Sequence, residues 1–130
     1  MHYVAIVTVL ALIEFLLLGI LVATARGKYG VAAPAVTGNE TFERYFRVHM
    51  NTLEQLIVFL PTMWVCTRYF PPTWVAAIGL LFIIGRVVYA ASYIRDPKQR
   101  TLGFLLTTLP TIAYVVIILY GAIGRLILAG

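Results

Sequence analysis

Four long apolar stretches, separated by short polar or proline-rich breaks, organise this chain. The first runs from about Tyr3 to Ala25, long enough for a helix that crosses a bilayer, which takes about 20 apolar residues. A break rich in Gly, Ala and Pro follows, from Arg26 to Glu40. The second stretch, from about Thr41 to Phe70, is too long for one span, so its polar first half is expected to project beyond the hydrocarbon. Pro71-Pro72 is expected to end it, because neither ring nitrogen can donate a helical hydrogen bond. The third stretch runs from about Thr73 to Ile94 and is closed by Asp96-Pro97; the fourth runs from about Thr101 to Leu128. Pro61 and Pro110 are expected to kink their helices, a distortion that packed membrane helices tolerate. Ala23-Thr24-Ala25 resembles a signal-peptide cleavage site, but no positive charge precedes the first stretch and it is too long for a signal, so it reads as an uncleaved span. The expected fold is an all-α, integral-membrane four-helix bundle, one domain over residues 1–130.

Composition agrees. Of 130 residues, 62% are hydrophobic and only 12% charged, too little charge to cover a soluble domain of this size. The net charge of +5 sits in loops and helix ends, with no basic run interleaved with aromatics, which argues against nucleic acid as a partner. The single cysteine, Cys66, cannot form an internal disulfide, belongs to no metal cluster and reads as a small buried hydrophobe. Arg26, Lys28, Arg44 and Arg47 fall on the same side of a four-span bundle as Arg95, Lys98 and Arg100, whereas the other side has only Arg68 and Arg125. The positive-inside rule puts the basic side in the cytoplasm and both termini opposite.

Ionisable residues at membrane depth are expensive and mark function by default. On the second helix Arg44, Arg47, Asn51 and Glu54 are spaced by three, four and three. At about 100° per residue they lie within about 80° of one another. One face then carries two cations, an amide and a carboxylate, a set suited to a small zwitterionic ligand. Asn51 and Glu54 have no snorkelling role. Arg44, Lys28, Lys98 and Arg95, by contrast, read as interfacial cations reaching lipid phosphates. The third helix has its own stripe, Arg86, Tyr89 and Tyr93, spaced by three and four. Arg86 lies too deep for easy snorkelling and needs a partner. Glu14, near the middle of the first span, lies at a similar estimated depth, so a Glu14–Arg86 pair is one solution. If the two stripes face each other, they form a pocket able to hold carboxylates on arginine and an ammonium on Glu54.

These residues resemble the MAPEG family (membrane-associated proteins in eicosanoid and glutathione metabolism). Its second-helix pattern is a glutamate-arginine pair followed by Arg-x-His/Gln-x-Asn-x-x-Glu. Here Glu43-Arg44 precedes Arg47-Val48-His49-Met50-Asn51-Thr52-Leu53-Glu54. Ala25-Arg26 is similar to the basic end of the family's first helix, and Arg86-Val87-Val88-Tyr89 with Tyr93 to its third-helix pattern. Arg100 falls where the leukotriene C4 synthase branch keeps a thiol-activating arginine. The resemblance implies a homotrimer with glutathione bound between subunits near the cytoplasmic side. It further implies glutathione contacts from Arg26, Arg47, His49, Asn51, Glu54, Arg86, Tyr89 and Tyr93, with Arg100 as the catalytic cation. His49 points about 160° away from Asn51, so it either serves a neighbouring pocket or packs between helices. Two positions depart from that branch: Gln55 stands where it has tyrosine, and Gly27 where it has a second arginine. The implied activity is that of a glutathione transferase, with glutathione-dependent peroxidase chemistry beside it. The electrophile is then an apolar compound entering from lipid.

Two other functions fit parts of the chain. Small multidrug-resistance exporters also have four spans and a first-span glutamate, which Glu14 matches, but a cation exporter gains nothing from buried arginines. A non-catalytic lipid-binding scaffold is the other, and the retained glutathione-type residues count against it.

Overall fold

The computed structural model describes the whole chain, Met1–Gly130, as four long helices and one short 3-10 turn. The first helix, α1 (His2–Tyr29), outlasts its apolar stretch by a full turn, so Arg26 is helical rather than part of the following loop. The ladder of backbone bonds does not stop where side chains turn polar. Arg26 and Lys28 in the last turn also suit the negative end of the helix dipole. Gly30 stops the helix in the left-handed region at φ 71°, returning its N–H to the Arg26 carbonyl.

The second helix, α2 (Glu40–Cys66), begins on Asn39, whose side chain accepts from the Phe42 N–H at 2.9 Å. Its end falls short of expectation: α2 stops at Cys66, not at the proline pair. The Thr67 hydroxyl bonds back to the Trp64 carbonyl at 2.6 Å, and the chain tightens into i→i+3 bonds through Tyr69. Pro72 instead opens the third helix, α3 (Pro72–Arg95), in the first turn, where a missing N–H costs nothing. A 3-10 turn at Pro97–Gln99 leads into α4 (Thr101–Ala129). α2 and α4 run through Pro61 and Pro110 without interruption.

Contacts between helix ends give an up-down-up-down arrangement. Trp64 late in α2 donates to Thr8 early in α1, and Arg44 early in α2 reaches Ile94 and Arg95 at the end of α3. Tyr114 of α4 donates to the Val75 carbonyl at the start of α3, at 2.6 Å. The core centres on Phe59 and Phe82, stacked at 3.8 Å, with Val4, Val7, Met63 and Val75 around them. α3 and α4 press together at two glycines. A Cβ on Gly85 would meet the backbone of Leu106 and Thr107, and one on Gly103 would meet the backbone of Tyr89. Outside, Leu, Ile and Val side chains such as Leu16, Ile20, Ile57 and Val87 stand exposed, the surface of a protein solvated by lipid. α1, α3 and α4 are each long and apolar enough to cross a membrane, whereas α2 is not, because its first half carries Glu43, Arg44, Arg47, Asn51 and Glu54.

Candidate functional site

The antiparallel pairing of α2 and α3 brings their polar stripes together. Both terminal nitrogens of Arg86 donate to Asn51 Oδ1, each at 3.0 Å. The guanidinium also lies over the Tyr89 ring, 4.4 Å from its centroid, and Tyr89 stacks on Tyr93 at 5.5 Å. Arg86 is only 2% exposed, so Asn51 is the acceptor that makes its burial tolerable. The pairing with Glu14 that depth allowed is not made. Arg86 forms no ion pair, and one carboxylate oxygen of Glu14, Oε1, is buried without a partner. Spending both terminal nitrogens on Asn51 turns the charged fork toward α2 and away from α1.

One turn to either side of Asn51, Arg47 and Glu54 form an ion pair at 3.0 Å, with side chains 50% and 57% exposed. A cation and a carboxylate are thus offered together on an accessible surface, the complement of a zwitterion. Toward the basic end, Arg47, Arg44, Glu43, Tyr93 and Pro97 surround a shallow pocket of about 360 Å³. Arg100 follows that segment at the N-cap of α4, exposed and making no side-chain bond.

The remaining expected residues lie on the other side of α2. His49 stacks on Phe15 of α1 at 4.5 Å and sits against Gly19. Arg26 binds the α1–α2 loop, donating to the Ala35 carbonyl at 2.6 Å and lying over the Phe42 ring at 4.9 Å. Within one chain the structure therefore joins Asn51, Arg86, Tyr89 and Tyr93 directly, and Arg47 with Glu54. No hydrogen bond or ion pair joins Arg26, His49 or Arg100 to them.

The MAPEG family model matches residues 4–120. The chain belongs to the MAPEG family. An uncharacterised protein of Synechocystis is 46% identical over 112 residues, covering 86% of this chain and 82% of that one. Human microsomal glutathione S-transferase 2 is 41% identical over 86 residues, 66% of this chain. Bovine leukotriene C4 synthase is 34% identical over 79 residues, 61% of this chain. The matched stretches span 58% and 53% of those two animal enzymes.

In this MAPEG chain one residue has a role that its sequence reading missed. Arg44 is not a free interfacial cation: it donates to the Ile94 and Arg95 carbonyls at 3.1 and 3.2 Å, capping the end of α3, and pairs with Glu40 at 2.9 Å. The four-residue spacing of Glu40 and Arg44 signals the ion pair but not the cap. Its effect is to tie α2 to the end of α3 from which the connection to Arg100 departs.

Proposed function

We propose that this chain is a membrane-bound glutathione transferase. The observation that carries the reading is the α2–α3 constellation, Asn51–Arg86–Tyr89–Tyr93 bordered by the Arg47–Glu54 pair. Glutathione is a thiol peptide with two carboxylates and an ammonium. Arg47 suits a carboxylate, Glu54 the ammonium, and the Tyr93 phenol a remaining polar group. Arg100 is assigned to the sulfur. A thiol of ordinary pKa near 8.5 is mostly protonated at neutral pH. Lowering that value by two units takes about 2.7 kcal/mol of preferential stabilisation of the thiolate. A guanidinium beside the sulfur is suited to supply it. The thiolate then attacks an electrophilic carbon of an apolar compound, a C–S bond forms, and the leaving group departs with the bonding pair. With an organic hydroperoxide, two glutathione molecules give the disulfide, an alcohol and water.

Arg26 and His49 face away from Asn51, and this favours a site completed by a neighbouring copy, hence a homotrimer with pockets between subunits. α2 runs antiparallel to its apolar neighbours along its length, so we assign four spans, the basic ends in the cytoplasm and both termini opposite.

Thiolate absorbance on adding glutathione to the purified protein tests the enzyme reading. A new ultraviolet band that titrates well below pH 8.5, together with turnover of an aryl halide, is the expected result. Absence of both leaves the lipid-binding scaffold. The exporter reading rests on Glu14; proton-coupled drug efflux by the wild type that vanishes in Glu14→Gln overturns the transferase assignment.

A further inference from the structure

α1 and α3 enclose a groove of about 490 Å³, with Leu17, Leu18 and Leu21 on one wall and Val87, Ala91 and Ile94 on the other. Leu17, Leu21 and Val87 are exposed, so the groove opens to the surroundings of the bundle rather than into its core. Glu14 and Arg86 mark its deep end, Tyr45 and Arg95 its end at the basic side. From Val87 to Arg95 α3 rises about 12 Å at about 1.5 Å per residue. Half of a hydrocarbon core of about 30 Å is about 15 Å. The groove thus covers most of the depth of one leaflet.

Its outer end is cationic. Arg44, next to Tyr45, binds the Arg95 carbonyl at 3.2 Å and so sets the start of α2 level with the end of α3. The Arg95 guanidinium is exposed and forms no hydrogen bond or ion pair within the protein. The nearby carboxylates are engaged elsewhere: Asp96 accepts from the Lys98 N–H at 3.1 Å, and Glu40 pairs with Arg44 at 2.9 Å. Arg44, Arg95 and Lys98 against Glu40 and Asp96 leave a positive balance.

We propose that this groove binds an anionic phospholipid, with one acyl chain between the α1 and α3 walls and the phosphate on the Arg95 guanidinium. The groove is apolar over the depth of a leaflet and cationic only at headgroup level, the layout of chain and charge in a single lipid. The positive balance discriminates against a choline headgroup, which sets its own cation beside the phosphate. Tyr45 adds a phenol donor at the same level. The site is separate from the one assigned to glutathione. Tyr93, which borders that pocket, precedes Arg95 by two residues and so lies about 160° away around α3. The inference therefore does not depend on the transferase reading.

The test is photolabelling of the full-length protein in phosphatidylcholine nanodiscs, followed by peptide mapping. The probes are phosphatidylglycerol and phosphatidylcholine carrying the same diazirine-bearing acyl chain. Phosphatidylglycerol is expected to label the Leu17–Leu21 and Val87–Ile94 segments about fivefold more than phosphatidylcholine, the equivalent of about 1 kcal/mol for one basic side chain at headgroup level. The exposed Ile6–Leu10 stretch, at the opposite end of α1, should show no such preference. Arg95→Gln, a change at an exposed position, should bring the ratio at the groove close to one, and Ala91→Phe, which fills the groove, should lower labelling by both probes. Equal labelling by the two lipids, a preference that survives Arg95→Gln, or the same preference at Ile6–Leu10 makes the groove ordinary lipid contact and overturns the proposal. So does failure to label either groove segment, the result expected if a second copy covers it. Displacement by oleate as effective as that by unlabelled phosphatidylglycerol assigns the groove to a free fatty acid and overturns it too.

Discussion

Replacing Asn51 with alanine should destabilise the protein through Arg86, whatever it does to ligand binding. In the wild type both terminal nitrogens of a guanidinium that is 2% exposed converge on one amide oxygen at 3.0 Å. Alanine removes that oxygen and leaves the charge buried, with Nε already lacking a partner. A hydrogen bond to a charged group is worth about 1.5–3 kcal/mol, and two donors sharing one acceptor do not count twice, so the loss stays within about that range. For a chain of this size that lowers the unfolding midpoint by on the order of 10 °C. The chain supplies its own reporter: Cys66 is the single cysteine and is fully buried, so a fluorogenic maleimide reacts only as the core opens. Asn51→Asp keeps an acceptor of the same reach and should stay near the wild-type midpoint. The double variant Asn51→Leu with Arg86→Leu should lose less than the two single changes added together, because removing both partners leaves no orphan. An unchanged midpoint in Asn51→Ala, or strict additivity in the double variant, would refute the claim that this contact holds α2 to α3.

Glu54→Ala should leave the melting midpoint nearly unchanged, since its pair with Arg47 is half-exposed and worth at most about 1 kcal/mol. It should still weaken glutathione binding in isothermal titration, by roughly tenfold for one lost charged contact. Arg100→Ala should keep glutathione affinity within a few-fold but lose most conjugation of an aryl halide, with thiolate absorbance moving back toward about pH 8.5; a wild-type titration reduces Arg100 to a loop cation. Gly103→Ala places a methyl group against the Tyr89 backbone and should cost about 1–3 kcal/mol of stability in the same thiol-exposure melt. An equal midpoint would show that the α3–α4 seam has slack there.

The apolar stretches made the four helices legible, because burial in lipid demands runs of that length and little else produces them. Helix ends were less legible. Arg26 through Tyr29 look like a loop by composition, yet backbone bonding carries α1 on until Gly30 adopts a conformation that suits glycine. At α2 the proline pair was the louder signal, but the Thr67 hydroxyl had already bonded to the Trp64 carbonyl and tightened the turn. Spacing put a polar stripe on each of α2 and α3; that the stripes face each other, and which atoms meet, came only with the packing. Depth along the chain suggested Glu14 for Arg86, and only the crossing of α2 over α3 puts Asn51 in reach instead. Arg44 shows the same limit, since no local pattern reveals that its fork reaches carbonyls 50 and 51 residues away. A site shared between copies is the part that a single chain's geometry displays least, because Arg26 and His49 are aimed away from the residues they are expected to join.

The polar half of α2 has a consequence for how the protein is made. Charged residues at a helix centre oppose insertion from the translocon by about 2.5–3.5 kcal/mol each, while Leu, Ile, Phe and Val return only about 0.3–0.6. α2 carries Arg47 and Glu54 in its body, and its apolar run is confined to the half that ends at Cys66. As it leaves the ribosome it is a poor candidate for lateral release by itself. α1, apolar over most of its length, can receive it as a hairpin through the Phe15–His49 and Thr8–Trp64 contacts. Asn51 must then wait for Arg86, synthesised 35 residues later, before its face is closed. With α2 as the fourth span, biogenesis would pass through a half-finished hairpin with its polar face open until α3 arrives.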